Sequence, residues 1–280
     1  MEEYRKNYPV SVLCETLGVS LSGYYAWMKR PMSQHEREDN QLAEHIQAVY
    51  HACRQVYGSL RIHAELQAQG ITSSRKRVAR LMREQGLSAC RRRHRTITTK
   101  SELGARVAPN VLDQDFTASR PNEKWTGDIT AIWTYEGWLY LAVVLDLYSR
   151  RVIGWAMAAT QDETLIETAF RMALLGRHPS AGLLFHSDRG SQYTSDAYQG
   201  LLADVSVTVS MSRTGNCYDN AVTESFFGTL KGECVERTSF QTRGQARQTI
   251  FEYVECFYNQ VRRHSSLGYV SPTAYEQLVS

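Results

Sequence analysis

The chain has 280 residues, of which 42% are hydrophobic and 22% are charged. This length predicts roughly two domains of ordinary globular composition. No apolar run approaches the ~20 residues of a membrane span, and the N-terminus has no secretory signal. The six scattered cysteines form no Cys-x-x-Cys pair, which argues against a disulfide scaffold or structural zinc site and favours a reducing cytoplasm.

The net charge of +3 is distributed unevenly along the chain. Residues 1–120 carry 19 lysines and arginines against 12 acidic residues, whereas residues 121–280 carry 13 against 17. A basic half joined to an acidic half favours a nucleic-acid-binding part followed by a metal-binding part. Charge alone leaves open a surface whose charges serve only solubility.

Residues 10–27 contain the first helical pattern. Apolar residues recur at helical spacing from Val10 to Leu17. Gly18 suits a left-handed turn, and Ser20 can cap a second helix. This pattern resembles a helix-turn-helix, although many helical hairpins share it.

Residues 59–86 predict a second helical pair with a strongly basic face. The first helix ends near Gly70, and Ser73 or Ser74 can cap the next, whose buried stripe lies within 78–82. A solvated face usually mixes charges of both signs, so we expect this one to contact DNA phosphates. The outward-facing basic residues of this helix are Arg75, Lys76, Arg77, Arg80 and Arg83.

A basic arm follows, with Arg91, Arg92 and Arg93 as further candidate DNA contacts. No periodicity is visible from there to about residue 118, which predicts an extended linker. Such a linker can lie along a DNA backbone, act as a hinge, or do both.

The acidic half predicts an α/β domain. Three β-branched and aromatic runs separated by turns predict an antiparallel meander, and helices and strands then alternate. The predicted elements are strands over 125–133, 139–147 and 151–158, a helix over 163–175, a strand over 183–186, a helix over 194–203, a strand over 205–209 and a helix that carries Glu224. This order matches a ribonuclease-H-like core, a five-stranded mixed sheet with flanking helices.

Three carboxylates are the candidate catalytic and metal-binding residues. Asp128 lies on the first predicted strand, Asp188 follows the fourth, and Glu224 lies on the helix alongside. Hard divalent ions prefer oxygen ligands, and phosphoryl transfer uses two such ions.

Other polar residues compete for roles in this half. Asp219 is predicted to cap a helix and Asp146 to lie in a turn or behind the site. His186 is predicted to be packed or hydrogen-bonded, with a role as a weak ligand or base left open. His264 and residues 262–263 either touch DNA or seal the core.

Several segments together resemble the insertion sequence 3 family of transposases, within the superfamily of Asp-Asp-Glu integrases. More narrowly, they resemble that family's second-reading-frame product. The matching segments are YGSLRI at 57–62, VARLM at 78–82, WTGDIT at 125–130, HSDRGSQY at 186–193, NAVTESFF at 220–227 and NQVRRHSSL at 259–267. The 35 residues between Asp188 and Glu224 also match the family's spacing.

This resemblance implies a function and partners. The chain would cleave DNA 3′ ends and join them to target DNA with two Mg²⁺ or Mn²⁺ ions bound by Asp128, Asp188 and Glu224. Lys231, two helical turns beyond Glu224, would hold substrate DNA. The implied partners are terminal inverted repeats, target DNA, further copies of the chain and a first-reading-frame protein, in the bacterial nucleoid and without a membrane.

The predicted domains are a helix-turn-helix region over 1–50, a second one with its basic arm over 51–105, a linker over 106–120, a catalytic core over 121–240 and a C-terminal helix and tail over 241–280. Two alternative functions remain open. A ribonuclease-H-type nuclease would not need two DNA-binding units, and a non-catalytic regulator would be expected to lack a metal carboxylate.

Overall fold

The computed structural model describes residues 4–89, 108–213 and 217–278. The predicted basic arm, with Arg91, Arg92 and Arg93, and the start of the predicted linker lie outside these residues. The helices are α1 Val10–Thr16, α2 Leu21–Lys29, α3 Gln34–Ala52, α4 Ser59–Ala68, α5 Arg75–Glu84, α6 Glu163–Arg177, α7 Asp196–Asp204, α8 Ala221–Glu233, α9 Arg243–Phe251 and α10 Pro272–Gln277. The strands are β1 Lys124–Thr134, β2 Gly137–Asp146, β3 Val152–Ala158, β4 Leu184–Ser187 and β5 Thr208–Met211.

The first two helices form the short hairpin that the sequence predicts. Gly18 has φ +66° between them, a conformation that costs glycine little. The hydroxyl of Ser20 accepts a hydrogen bond of 3.0 Å from the backbone N–H of Gly23 at the start of α2. Only Cys14 and Tyr24 are buried in these two helices.

The third helix, α3, was not among the predicted elements, although its start has a sequence signature. Ser33 and Glu36 form a capping box, in which each side chain bonds the other residue's backbone N–H. Leu42, Ile46 and Val49 then form a buried stripe at helical spacing. This stripe packs against α4 and α5, so the predicted boundary between residues 50 and 51 falls inside α3.

The helices α3, α4 and α5 form one small unit, which we call the helical module. Ser74 caps α5 by accepting from the backbone N–H of Arg77 at 3.2 Å, as one of the two predicted caps. Ile62 and Leu66 of α4 and Val78 of α5 are fully buried. Leu60, near the start of α4, is half exposed.

The five strands form one mixed sheet in the order β3-β2-β1-β4-β5. The first three strands are antiparallel neighbours, whereas β4 pairs parallel to β1 and β5 parallel to β4. The predicted order of strands and helices is confirmed, and so is the fold class. The parallel register places Thr126 of β1 opposite His186 of β4, which fixes the relative positions of the two aspartates beyond them.

One face of the sheet is covered by α6, and a glycine sets how closely it packs. A Cβ atom added at Gly154 of β3 would lie 2.2 Å from the backbone oxygen of Ala169 and 2.8 Å from the Cβ of Ala173. Real Cβ atoms essentially never approach another heavy atom so closely. Glycine at this position therefore allows α6 to lie directly on the strand.

The C-terminal segment closes the other face. After α9 the chain continues as a π-helix over Glu252–Tyr258. The amide of Asn259 accepts from the backbone N–H of Val152 at 3.0 Å and donates to its carbonyl at 2.9 Å. A side chain thereby satisfies backbone groups at the edge strand β3.

The same C-terminal segment holds the helical module. The backbone N–H of Arg263 donates to the Tyr57 hydroxyl at 2.8 Å, and Arg61 donates to the carbonyl of Arg263 at 3.0 Å. The Arg263 guanidinium forms an ion pair with Glu65. Buried apolar residues of the helical module, of β1–β3 and of the C-terminal helices form one continuous core.

None of the helices in the described ranges is both long and apolar enough to cross a membrane.

Replacing Gly154 with alanine should destabilise the protein, because the added methyl group overlaps the backbone of α6. Overpacking of this kind costs about 1–3 kcal/mol, sometimes more. Gly176→Ala is the matched control, since a Cβ there meets nothing within 4 Å and alanine is favoured in a helix by up to ~1 kcal/mol. Urea denaturation of both variants measures the difference, and equal midpoints would contradict the packing described.

Candidate active site

Asp128 lies on β1, and Asp188 directly follows β4, the strand that pairs parallel to β1. Each stands two residues beyond a member of the Thr126–His186 pair, so the two carboxylates lie at the same level of the sheet. Both side chains are half-buried. Burial raises the pKa of Asp128 well above its usual value, and the negative charge of Asp188 raises it further.

Glu224 approaches the pair from the first turn of α8. Its negative charge also raises the pKa of Asp128, whereas the positive charge of Lys231 lowers it. Burial raises the pKa of Glu224 itself, although the residue is largely exposed. The fold thus places Asp188, Glu224 and Lys231 within electrostatic range of Asp128.

The carboxylates are held by local donors. Asp128 accepts from the backbone N–H of Ile129 at 2.7 Å, and Asp188 accepts from the backbone N–H of Gly190 at 2.9 Å. Within residues 4–89, 108–213 and 217–278, no three His, Cys, Asp or Glu side chains are placed closely enough to hold a metal ion in the arrangement seen.

Asn220 lies beside the carboxylates, although the sequence does not single it out as a site residue. It stands at the N-cap position of α8 but makes no capping hydrogen bond with its side chain. Instead its amide nitrogen donates to Asp128 at 3.1 Å. Its amide oxygen accepts from the hydroxyls of Thr126 at 2.8 Å and Thr223 at 2.9 Å, so it ties β1 to α8 beside the carboxylates.

His186 is packed and hydrogen-bonded, as predicted. The ring is fully buried, with Nδ1 2.9 Å from the Ser210 hydroxyl and Nε2 3.0 Å from the Ser212 hydroxyl. Burial lowers the pKa of His186 to about 4. Both ring nitrogens are engaged in these contacts, so His186 is not available as a ligand.

Asp219 is not a helix cap, and that prediction was wrong. The side chain is fully buried and accepts from the backbone N–H and guanidinium of Arg213 at 2.8–3.1 Å. It also accepts from Gln114 at 2.8 Å and Asn110 at 3.0 Å. Burial acts to raise the pKa of Asp219, but the Arg213 hydrogen bonds hold it well below its usual range. These contacts occupy both oxygens of Asp219 and join three separate segments of the chain.

Asp146 ends β2 and stabilises the following turn, as predicted. It accepts from the backbone N–H of Tyr148 at 2.9 Å, from that of Asn122 at 2.8 Å and from Arg177 at 2.9 Å. Burial raises the pKa of Asp146. Its oxygens point into this structural network.

The basic face of α5 differs from the prediction at two positions. Arg75, Lys76 and Arg83 are exposed. Arg77 and Arg80 do not simply face outward, because they form ion pairs of 2.6 Å with the two oxygens of Asp39 on α3. Hydrogen bonds from Arg80 and Arg77 lower the pKa of Asp39. Asp39 lies on another helix, about 40 residues before these arginines, so the charge pattern of α5 alone does not reveal it.

Of the two roles left open for residues 262–264, the structure shows contacts that close the core. Arg262 is buried and donates to both oxygens of Glu233 at 2.6 and 2.7 Å. The His264 ring packs edge-on against Tyr258, with ring centroids 4.9 Å apart.

Comparisons with known proteins follow the same division of the chain. Residues 36–96 match an HTH-like domain, and two models described as integrase core domains match residues 118–217 and 205–272. The chain is also similar to a solved structure of the simian T-cell lymphotropic virus intasome, with 14% identity, a TM-score of 0.48, and coverage of 76% of this chain and 70% of that one.

Two relatives match almost the whole chain. The transposase InsF of insertion sequence IS3A from Escherichia coli K12 is 42% identical over 280 residues, covering 99% of this chain and 96% of InsF. The 31 kDa protein of insertion element IS600 from Shigella sonnei is 42% identical over 265 residues, covering 95% of this chain and 97% of that protein. At this identity over nearly its whole length, the chain belongs to the insertion sequence 3 (IS3) family of transposases, with an integrase-type catalytic core.

Proposed function

We propose that this transposase cleaves the DNA 3′ ends of its insertion sequence and joins them to target DNA, using Asp128, Asp188 and Glu224 to bind two Mg²⁺ or Mn²⁺ ions. The observation that carries the proposal is the convergence of three carboxylates from β1, the end of β4 and α8. Such ions, when bound, stabilise the attacking and leaving oxygens of an in-line displacement.

The residues present fit divalent ions. The donor set consists of carboxylate oxygens, which hard cations prefer. The carboxylates repel one another, since the charges of Asp188 and Glu224 both raise the pKa of Asp128, and a cation would relieve that repulsion. Glu224 is exposed, so its flexible side chain is the member of the set that is free to move toward an ion.

The chain's own residues would position the reaction. Asn220 fixes the orientation of the Asp128 carboxylate. Lys231 adds positive charge on the same side of α8 as Glu224, where a DNA phosphate would lie. The exposed basic residues of α5 would hold DNA by its phosphates, which position the duplex without reading its sequence.

The proposal also includes the specific DNA and protein partners of the chain. The DNA would be the terminal inverted repeats and the target, bound in the nucleoid by more than one copy of the chain. Arg91, Arg92 and Arg93 remain predicted phosphate contacts outside the described residues. A first-reading-frame protein, separate or fused, would be a further partner.

Asp128→Asn, Asp188→Asn and Glu224→Gln should each abolish cleavage and joining while folding and DNA binding remain. Each change keeps the shape of the side chain but removes the charge that would bind metal. Strand-transfer assays in Mg²⁺ and Mn²⁺, with thermal melting as the folding check, measure this. Asp204→Asn, at an exposed position on α7, is the matched control, and full joining by any of the three variants would exclude that residue from the site.

Lys231→Ala should weaken engagement of the reacting DNA end without changing metal binding, because the ammonium group adds charge beside the carboxylates but is not a ligand. A photo-crosslinker at position 231 should label the last few nucleotides of the bound element end. The same group at exposed position 171 on α6 serves as the control. Labelling of distant flanking DNA only, in an active complex, would count against this role.

On α5, replacing Arg75, Lys76 and Arg83 together with alanine should weaken DNA binding and flatten its salt dependence. Each lost phosphate contact reduces the slope of log affinity against log salt by about 0.9. Arg77→Ala should instead lower the melting temperature, because Asp39 loses a partner at 2.6 Å. Arg171→Ala, at an exposed arginine, is the control, and an unchanged slope in the triple variant would show that α5 faces something other than DNA.

A further inference from the structure

A cavity of about 540 Å³ lies on a second side of α8, between this helix, the helical module and the C-terminal segment. From α8 it is lined mainly by small residues, among them Ala221, Ser225 and Gly228. Ser225 follows Glu224 directly, and its side chain lies about 100° further around the helix. The cavity therefore lies beside the carboxylate site, and none of the roles proposed above uses it.

The lining of this cavity carries an excess of positive charge. Three arginines, Arg61, Arg150 and Arg262, line it together with a single acidic residue, Glu233. Glu233 is bound by Arg262 through both oxygens and lies 3.7 Å from Arg61. One carboxylate is thus shared between two guanidinium groups.

Arg150 contributes a positive charge that is not engaged in an ion pair among the described residues. Its guanidinium donates to the carbonyl of Phe116 at 3.2 Å, a neutral acceptor. In the part of the chain that the structure describes, no carboxylate forms an ion pair with Arg150. Burial lowers the pKa of Arg150, whereas Tyr258 and the negative charge of Asp146 act to raise it, so the guanidinium is partly withdrawn from water.

The charges of all three guanidinium groups reach the ring of His264. His264 also lines the cavity, and burial followed by the charges of Arg262, Arg61 and Arg150 lowers its pKa to about 2. The histidine is therefore neutral at ordinary pH. The lining keeps two more positive than negative charges, beside the hydroxyls of Ser265 and Ser266 at its edge.

We propose that this cavity binds a phosphate group in the backbone of the DNA whose end lies at the carboxylate site. Guanidinium groups and hydroxyls are the donors that proteins use for phosphate oxygens, and the small residues of α8 leave room for a sugar-phosphate chain. The inference rests on the proposed function in that the bound DNA is the transposase substrate. It adds a second contact, on a neighbouring side of α8 from Lys231.

Arg150→Gln tests the proposal in the full chain without divalent metal. A fluorescent duplex that ends in the terminal repeat of the element should bind roughly tenfold more weakly, and the salt slope should fall by about 0.9. Arg150→Lys should keep most of the slope because it keeps the charge. Arg171→Gln, at an exposed arginine on α6, is the matched control and should bind as the parent does.

Ser266→Glu provides a second variant at an exposed position, where misfolding is not expected. The added negative charge at the cavity edge should weaken duplex binding, whereas Ser180→Glu, at an exposed position elsewhere, should not. Parental affinity and slope in both Arg150→Gln and Ser266→Glu would overturn the proposal. Loss of inorganic phosphate binding with unchanged duplex binding would also overturn it, since the site would then hold a free anion.

These outcomes are separable from those of the proposed function. Asp128→Asn should leave the metal-free affinity and slope of the duplex unchanged. If Asp128→Asn retains joining while Arg150→Gln loses one phosphate contact, the carboxylate proposal fails and the cavity proposal stands. If instead Asp128→Asn loses joining while Arg150→Gln keeps the parental affinity and salt slope, the carboxylate proposal stands and the cavity proposal fails.

Discussion

β1 and β4 run side by side in parallel, with Thr126 paired to His186, and the chemistry of the protein depends on this register. A shift of one residue would turn one of the two aspartates to the opposite face of the sheet. The buried environment that fixes the register includes His186. Its two ring nitrogens are hydrogen-bonded to Ser210 in β5 and to Ser212 just after it. A polar residue thus contributes to specifying the pairing of β4 without taking part in the proposed metal site.

The helix α8 gives the site its third carboxylate and its orientation. Asn220 connects Asp128 to this helix through a hydrogen-bonded group that includes Thr126 and Thr223. Polar groups buried in this way are costly unless they are paired, so the network favours one placement of the helix against β1. The ionised form of Asp128 is disfavoured, because burial and repulsion from Asp188 and Glu224 both raise its pKa. A site that stores such repulsion is well suited to cations.

The helical module is docked against the rest of the protein by specific contacts. Tyr57, Arg61 and Glu65 all contact the segment around Arg263, and Arg61 also lies near Glu233 at the end of α8. DNA bound by the module would therefore be held at a fixed position relative to the carboxylates. The same contacts enclose the basic cavity, so its shape depends on the docking of the module rather than on either part alone.

The sequence by itself determined the order of the elements in the α/β part of the chain and where Asp128, Asp188 and Glu224 lie among them. Periodicity, turn residues and caps act over a few residues, which is why the strands, the Gly18 turn and the Ser74 cap could be predicted. The helix α3 was within reach too, since the Ser33–Glu36 capping box and its apolar stripe are local signals. Tertiary structure alone decided which polar side chains meet. Arg77 and Arg80 form ion pairs with Asp39. Asp219 accepts hydrogen bonds from Arg213 and Gln114. Arg150, Arg61 and Arg262 all lie close enough to His264 to lower its pKa. Most of these partners lie tens to hundreds of residues apart, and the charge of a side chain does not reveal which distant element folding brings beside it.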